Sequence, residues 1–183
     1  MTKTGFKKEI RLSGSGGQGL ITAGIILAKA AVYDGMRVTQ TQSYGPESRG
    51  GASRADVIIS DQEIYFPEAT RFDILLSLTQ EACDKYADNV KPNGILIADS
   101  TQIKNVNAQL PQIYELPLTD NAIKELGSEL PTNIVSLAFL VRIAKVVREE
   151  SLIKAVKESV KKKYVNMNLK AIRLGFRLAD EYK

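Results

Sequence analysis

The 183-residue sequence has no histidine and a single cysteine, Cys83. The lack of histidine excludes histidine triads and histidine-rich metal centres, since histidine is the commonest general base and metal ligand. One cysteine excludes an internal disulfide and an iron–sulfur cluster held by cysteines of this chain alone. The neighbours of Cys83 predict a helix, where we expect an inert packing residue. We therefore predict no catalytic residue and no metal site in this chain.

Long apolar runs are also missing. The longest, residues 134–147, is shorter than the roughly 20 residues needed to cross a bilayer, and it contains Arg142 and Lys145. The lysine-rich residues 1–9 are not followed by an apolar stretch of signal-peptide length. We therefore expect a cytoplasmic protein without a membrane segment.

Positive charge is concentrated near the end of the chain. The net charge is +4, and residues 150–183 contain nine Lys or Arg against four Asp or Glu. No aromatic residues interleave the basic ones in a nucleic-acid-binding pattern, so we predict no nucleic-acid partner. A solvated helix face is the simpler interpretation, and docking against an acidic protein surface is the functional alternative.

The hydrophobic pattern predicts one α/β domain over residues 1–183, with a mostly parallel sheet and a helical C-terminal third. A chain of this length can build one sizeable core. Strands are predicted at 9–13, 37–42, 54–60, 72–78, 94–98 and 113–116. Helices are predicted at 17–33, at about 79–90, at 119–126 and at 133–147, with two more beginning at residues 151 and 168.

Boundary residues refine these elements. Side chains able to cap a helix N-terminus are Thr79, Asn133, Ser151 and Asn168. Gly35 is expected at the C-terminus of the first helix, whose apolar residues surround it on most sides and predict complete burial. Residues 92–94 predict a turn, and residues 63–66 a hairpin-like excursion.

The first strand runs into a glycine-rich turn made of Gly14, Gly16, Gly17, Gln18 and Gly19. Its G-x-G-x-x-G spacing, between a strand and a helix, is typical of backbone that approaches a phosphate. A dinucleotide site also expects an acidic residue at the end of the second strand, which here ends Thr41-Gln42-Ser43. A tight structural turn and a site for another phosphate-bearing ligand therefore both stay open.

A second polar loop, residues 43–51, follows the second strand, where ligands bind on parallel sheets. Arg49 can hold a carboxylate or phosphate through two parallel hydrogen bonds, and Glu47 could orient it. The alternative is a Glu47–Arg49 network that only stiffens a surface loop. The candidate ligand- or interface-binding residues are Tyr44, Gly45, Pro46, Glu47, Arg49, Gly50 and Gly51.

Together the two loops resemble the gamma subunit of thiamine-dependent 2-oxoacid:ferredoxin oxidoreductases, and the form of the second favours the 2-oxoglutarate type. Similar residues continue along the chain: Ala23-Gly24, 27–31, Ser53, Asp73, Lys85-Tyr86, Gly94, Asp99-Ser100, Asn133 and Leu137. Ala138 stands where this family suggests glycine, which leaves the local helix packing to be explained.

The resemblance implies a Rossmann-like fold without a nucleotide of its own. It implies partner subunits that bind thiamine diphosphate with Mg²⁺ and carry iron–sulfur clusters. The complex would convert a 2-oxoacid and coenzyme A into an acyl-CoA and CO₂, and would reduce ferredoxin. This chain would position or complete the site without a redox cofactor, and would be inactive alone.

Three alternatives stay open at this point. The chain could be a stand-alone Rossmann-like nucleotide- or flavin-binding domain, or a purely structural subunit. It could also be the small subunit of the related indolepyruvate-type enzyme. We further expect that the isolated chain can self-associate through a surface that its partners normally cover.

Overall fold

The computed structural model describes residues 5–43 and 52–182, which form a six-stranded sheet with helices on both faces. The strands are β1 (Lys7–Ser15), β2 (Arg37–Ser43), β3 (Ala52–Ser60), β4 (Phe72–Ser77), β5 (Val90–Asp99) and β6 (Gln112–Leu116). The α-helices are α1 (Leu20–Tyr33), α2 (Gln80–Tyr86), α3 (Leu118–Leu126), α4 (Thr132–Ala144), α5 (Glu149–Ser159) and α6 (Val165–Asp180). Two short 3₁₀ helices lie at Ala87–Asn89 and Lys162–Tyr164.

The strand order is β2-β3-β1-β4-β5-β6. Strand β3 is antiparallel to both of its neighbours, whereas β1, β4, β5 and β6 pair in parallel. Strand β2 therefore runs in the same direction as β1 but is separated from it by β3. The predicted α/β class, mostly parallel sheet and helical C-terminal third are confirmed, and the extent of the domain over 1–183 stays a prediction.

Two apolar clusters cover the two faces of the sheet. The larger one packs α1, α4, α5 and α6 against the inward side chains of β1 and β4, such as Ile10, Leu12 and Leu76. The smaller one, on the opposite face, includes Phe72, Cys83 and Tyr86. None of the helices in the described part of the chain is long and apolar enough to cross a membrane.

The close crossing of α4 and α6 explains the alanine at position 138. Gly175 of α6 faces Ala138, and a Cβ on Gly175 would lie 2.7 Å from the Ala138 Cβ and would overlap the Val135 carbonyl oxygen. The glycine that lets the helices approach is therefore on α6, and the packing is intact with alanine on α4.

Helix α1 differs from its prediction at its start and in its burial. Gly17 and Gly19 have left-handed φ angles of 88° and 73°, so the helix begins at Leu20 and not at residue 17. Its predicted complete burial is wrong, because Ile25 and Val32 are 41% and 56% exposed. Gly35, with φ 77°, follows the end of the helix as predicted.

Of the four predicted N-terminal caps, only Thr79 is confirmed, through its hydroxyl and the Ala82 amide at 3.4 Å. The other three side chains lie inside their helices, because each helix begins before them, and they bond elsewhere: two to distant segments and one to the start of its own helix. Asn133 donates to the Gly19 carbonyl, Ser151 to the Asp34 carboxylate, and Asn168 to the Tyr164 carbonyl.

Three further boundaries also differ. The predicted turn at 92–94 lies within β5, which contains a register irregularity opposite β4 between Phe72 and Ile74. Residues 63–66 form no strand. Helix α4 ends at Ala144 rather than residue 147, because Lys145 adopts a left-handed φ of 52°.

Candidate functional site

The carboxyl edge of the sheet brings the two predicted loops to neighbouring positions. Ser15, the last residue of β1, pairs with Ala52 of β3, and Ser43, the last residue of β2, pairs with Arg54. Both ends of the polar loop therefore reach the edge that carries the glycine turn. The candidate residues from Tyr44 to Gly51 lie outside the described residues.

Gln18 closes the glycine turn from within. Its side-chain oxygen accepts a hydrogen bond from the Ser15 amide at 2.8 Å and packs so close to Gly14 that a Cβ there would overlap it. In a phosphate-binding turn, backbone amides of this kind remain available to the anion. Here the side-chain oxygen of Gln18 takes the place of such an anion at the Ser15 amide, so Gln18 stabilises the turn.

Gly19 ties the turn to α4. Its carbonyl accepts a hydrogen bond from the Asn133 side-chain amide at 2.9 Å, across 114 positions of sequence. A Cβ on Gly19 would lie 2.5 Å from that amide nitrogen, and the φ of 73° independently favours glycine. Asn133 was predicted as a helix cap, and the periodicity of the sequence carries no signal for this distant contact.

A polar cavity of about 350 Å³ opens beside the turn. It is bordered by the turn, by Thr79 at the start of α2, by Thr119 of α3, and by Glu129 and Thr132 before and at the start of α4. It lies outside the carboxyl ends of β1 and β4, where ligands bind on open α/β sheets. This cavity is the part of the predicted turn site that the described residues shape.

A second cavity, of about 620 Å³, lies at the end of β2, on the face of the sheet that the smaller apolar cluster covers. Arg54, Lys85 and Tyr86 border it, together with Ser43, the last described residue before the polar loop. Lys85 and Tyr86 had been noted only through the family resemblance. The cavity therefore adjoins the root of the polar loop.

The floor of this second cavity is a buried ion pair between Arg11 of β1 and Asp56 of β3. The guanidinium donates to both carboxylate oxygens, at 2.7 and 2.6 Å, and both side chains are about 5% exposed. The rings of Phe72 and Tyr86 enclose it, with centroids 4.2 and 4.5 Å from the guanidinium carbon. A charged residue between the apolar Ile10 and Leu12 is a sequence signal for such a buried pair.

Two other aspartates noted through the resemblance are structural. Asp99, fully buried at the end of β5, accepts hydrogen bonds from the Thr101 amide and the Thr119 hydroxyl and so anchors α3. Asp73 accepts from the Glu9 amide and the Lys91 ammonium, each at 2.8 Å. Among residues 5–43 and 52–182, no group of three His, Cys, Asp or Glu side chains is placed to hold a metal ion.

The chain matches the family model "Pyruvate ferredoxin/flavodoxin oxidoreductase" over residues 9–178. It belongs to this family. A curated relative, the 2-oxoglutarate synthase subunit KorC of Methanocaldococcus jannaschii, is 44% identical over 96% of both chains.

Solved structures support the same family. A keto/oxoacid ferredoxin oxidoreductase gamma subunit from Geobacter sulfurreducens is 44% identical, with a TM-score of 0.88, over 96% of this chain and 98% of that one. A 2-oxoglutarate:ferredoxin oxidoreductase from Magnetococcus marinus, with 2-oxoglutarate, coenzyme A and succinyl-CoA bound, is 25% identical, with a TM-score of 0.83. The match covers 96% of this chain and 31% of that one. The predicted resemblance to a gamma subunit of the 2-oxoglutarate type is confirmed.

Cys83 of this oxidoreductase subunit is buried in the smaller apolar cluster. Burial, followed by the negative charges of Asp84 and Glu115, raises the pKa of the thiol to about 11. At pH 7.5 only about one thiol in a few thousand is then ionised, against roughly one in ten for a free cysteine of pKa about 8.5.

We therefore expect Cys83 of the folded chain to react with iodoacetamide at least about 100-fold more slowly than in 8 M urea, because the thiolate is the reacting species. Mass spectrometry of timed samples at pH 7.5 measures both rates. Free glutathione in each buffer corrects for the effect of urea on the reagent. Stoichiometric labelling of the folded chain at the glutathione rate would contradict the assignment of Cys83 as an inert packing residue.

Proposed function

We propose that this chain is the gamma subunit of a thiamine-dependent 2-oxoglutarate:ferredoxin oxidoreductase. The complex would oxidatively decarboxylate 2-oxoglutarate and transfer the acyl group to coenzyme A. The observation that carries the proposal is the 44% identity to a 2-oxoglutarate synthase subunit over 96% of both chains. The bound 2-oxoglutarate, coenzyme A and succinyl-CoA of the Magnetococcus marinus structure agree with it.

In this proposal cofactors on partner subunits carry out the decarboxylation and the electron transfer. Thiamine diphosphate with Mg²⁺ would stabilise the carbanion left by decarboxylation, and iron–sulfur clusters would carry electrons to ferredoxin. The residues of this chain support that division, because it has no histidine and its one cysteine is buried with a raised pKa. The cytoplasmic location stays a prediction.

The contribution of this chain would be the polar loop. Its two flanks, Ser43 and Ala52, lie at the carboxyl edge of the sheet, and the cavity at its root is bordered by Arg54 and Lys85. Cationic side chains at this place suit the carboxylate of a 2-oxoacid or the phosphates of coenzyme A. We propose that Tyr44, Glu47 and Arg49 face the shared active site or the subunit interface there.

A stand-alone nucleotide-binding domain is the competing function, and two observations weigh against it. Strand β3 lies between β1 and β2, so the end of β2 is two strand spacings, roughly 9–10 Å, from the glycine turn. In dinucleotide-binding folds the neighbouring strand supplies the acid that holds the ribose. The Ser15 amide is also already bonded to Gln18. Equilibrium dialysis of the isolated chain with NAD(P) or flavin tests this alternative directly.

Affinity purification of the tagged chain from its native cells, under anaerobic conditions, tests the proposed assembly. We expect stoichiometric recovery of a thiamine-binding subunit and a cluster-bearing subunit. The purified complex should reduce ferredoxin with 2-oxoglutarate and coenzyme A, but not with indolepyruvate. Recovery of the chain alone would contradict the assembly, and activity with indolepyruvate instead would reassign the substrate.

Replacing Arg49 by alanine should raise the apparent KM for coenzyme A or 2-oxoglutarate roughly tenfold or more in an intact complex. A charge-assisted hydrogen bond contributes about 1.5–3 kcal/mol, and each 1.4 kcal/mol is a factor of ten in affinity. Steady-state kinetics of the reconstituted complex measure the change for each substrate separately.

Two controls define what Arg49 does. Arg49→Lys keeps the charge but loses the paired hydrogen bonds, so it should recover only part of the affinity. Arg173→Ala removes an exposed arginine of α6, on the other face of the sheet, and should leave both KM values unchanged. Unchanged kinetics in assembled Arg49→Ala complex would refute a substrate-binding role, and failed assembly would favour an interface role.

A further inference from the structure

Strand β2 is an open edge of the sheet. It is the first strand in the order β2-β3-β1-β4-β5-β6, and no described strand pairs with its outer side. Natural proteins block such edges with proline, inward-pointing charges or bulges. The seven residues from Arg37 to Ser43 contain no proline, one charge, and an uninterrupted register with β3. The outer side of β2 can therefore pair with another strand.

An exposed apolar stripe on α1 runs beside this edge. Ile25, Ala28 and Val32 are spaced at i, i+3 and i+7, and with Val38 and Gln40 of β2 they border a groove of about 380 Å³. Ile25 is 41% and Val32 is 56% exposed. Apolar residues at this spacing form the line of contact along which two helices pack together. No described element covers the stripe.

The charged groups next to this stripe are engaged elsewhere. Lys29 lies between Ala28 and Val32 in the sequence, but its ammonium donates to the Ser159 hydroxyl at 3.1 Å. The Tyr33 hydroxyl is bonded to the Glu158 carboxylate, and the Lys154 ammonium lies over the Tyr33 ring. These contacts draw polar groups towards α5, so the stripe itself stays apolar.

Strand β2 also contains the one buried side-chain oxygen or nitrogen of the described residues that has no hydrogen-bond partner there, the Thr39 hydroxyl. A buried hydroxyl without a partner is unfavourable, because it has lost its hydrogen bonds to water. Threonine pairs across neighbouring strands can hydrogen-bond to each other. This oxygen is enclosed within the chain, so Thr39 must rotate about χ1 before a hydroxyl of an added strand can reach it.

We propose that β2 pairs antiparallel with β2 of a second copy of this chain, so that two sheets become one twelve-stranded sheet across a two-fold axis. The strand has seven residues, and pairing centred on Gln40 uses all of them. Thr39 then lies opposite Thr41 of the second copy, whose hydroxyl can bond to the Thr39 hydroxyl once that side chain has rotated. This inference does not depend on the reaction proposed above.

Charge and packing both suit this arrangement. Arg37 is the only charged residue of β2, and it lies opposite Ser43 of the second copy. The two arginines are then about 20 Å apart, six residues at ~3.4 Å each, and do not repel at close range. The same axis places the two α1 helices side by side, so that Ile25 of each copy meets Val32 of the other.

Sedimentation equilibrium of the full chain tests the dimer. We expect a dimer at micromolar concentration and, for Ile25→Glu, a dissociation constant raised on the order of 100-fold, since a carboxylate would be buried in each half of an apolar seam. The matched control is Ile123→Glu on α3, where the isoleucine is 47% exposed, and its dissociation constant should equal that of the unmodified chain. A monomer up to millimolar concentration, or equal effects of the two variants, would overturn the proposal.

A cysteine introduced on β2 tests the register, because Cys83 is buried and does not compete. Gln40→Cys places two thiols opposite each other on the axis, at a Cα separation of about 4.5–5.5 Å that a disulfide can span. It should cross-link under mild oxidation. Gln42→Cys faces Val38 of the second copy and should not. The reverse result would overturn pairing centred on Gln40.

The same Gln40→Cys chain, assembled with its partner subunits, decides whether the pairing is part of the complex. A disulfide-linked pair of this chain in the purified, active complex supports the proposal. A reduced Gln40→Cys thiol in the complex, with cross-linking confined to the isolated chain, would show that a partner subunit occupies the edge. That outcome would overturn it.

Discussion

Asp56→Asn is expected to destabilise the protein by about 3–5 kcal/mol. Asparagine has nearly the size and shape of aspartate, so the change removes a charge and creates almost no cavity. It leaves the Arg11 guanidinium buried without its counter-charge, and breaking a buried pair on one side costs an amount of this order. For a domain whose total stability is about 5–15 kcal/mol, that is a large fraction.

The surroundings of the pair explain why the loss cannot be repaired locally. The guanidinium lies between the rings of Phe72 and Tyr86, and its remaining contact in the described residues is to the Ala69 carbonyl at 3.4 Å. Both side chains are only about 5% exposed, so water can reach the guanidinium only from the floor of the second cavity. Removing both charges is different, because apolar side chains of similar volume can fill such a site.

Urea unfolding followed by circular dichroism measures the effect. Asp56→Asn should lower the unfolding free energy strongly, and the double variant Arg11→Met with Asp56→Leu should recover most of it. Glu63→Gln is the matched control, since its pair with Arg37 at 3.5 Å is exposed on both sides and should contribute under about 0.5 kcal/mol. A loss below 1 kcal/mol for Asp56→Asn would contradict the structural importance of the buried pair.

Gly175→Ala is expected to cost about 3 kcal/mol, although alanine is the better helix former. Helix propensity alone would favour alanine by about 1 kcal/mol. The added methyl group, however, would overlap the Val135 carbonyl oxygen and lie 2.7 Å from the Ala138 Cβ and 3.0 Å from the Phe139 amide nitrogen. Backbone atoms of α4 cannot move aside as a flexible side chain can, so the helices must separate, and overpacking of this kind typically costs 1–3 kcal/mol.

The same unfolding experiment separates the clash from a general effect of replacing glycine. Gly16→Ala is the control, because a Cβ at Gly16 meets no atom within 4 Å and its φ is not left-handed, and we expect a change under about 1 kcal/mol. Adding Ala138→Gly to Gly175→Ala should recover only part of the loss. It removes the contact between the two Cβ atoms but leaves the overlap with the Val135 carbonyl. A Gly175→Ala protein as stable as the unmodified chain would contradict the close crossing of α4 and α6.

Features that depend on a few neighbouring residues were predictable from the sequence. Strand and helix positions follow from the spacing of apolar residues, and the Gly35 and Thr79 boundaries follow from conformational freedom and a hydroxyl acceptor. The other cap predictions failed because those helices begin earlier in the sequence, and Asn133 bonds instead to a partner outside its helix. That partner, the Gly19 carbonyl, is distant in sequence.

The candidate site was also predictable only where it depends on neighbouring residues. The glycine turn was recognisable from its spacing, but the sequence did not reveal that Gln18 occupies it, because that depends on how one side chain folds back onto the Ser15 amide. The cavity at the root of the polar loop depends on Arg11, Asp56 and Lys85, which come from three separate elements. The residues of the polar loop itself stay predictions from the sequence.

The sequence by itself determined the class of secondary structure, the family resemblance and the lack of histidine and cysteine ligands for a redox centre. These are properties of composition and of short segments, where periodicity and residue chemistry suffice. Only the tertiary structure decided that β3 separates β1 from β2, that Arg11 meets Asp56, and that α1 leaves Ile25 and Val32 exposed beside an open edge. Those facts depend on which distant segments pack together, and that is determined by the summed burial and hydrogen bonding of the whole chain rather than by any local pattern.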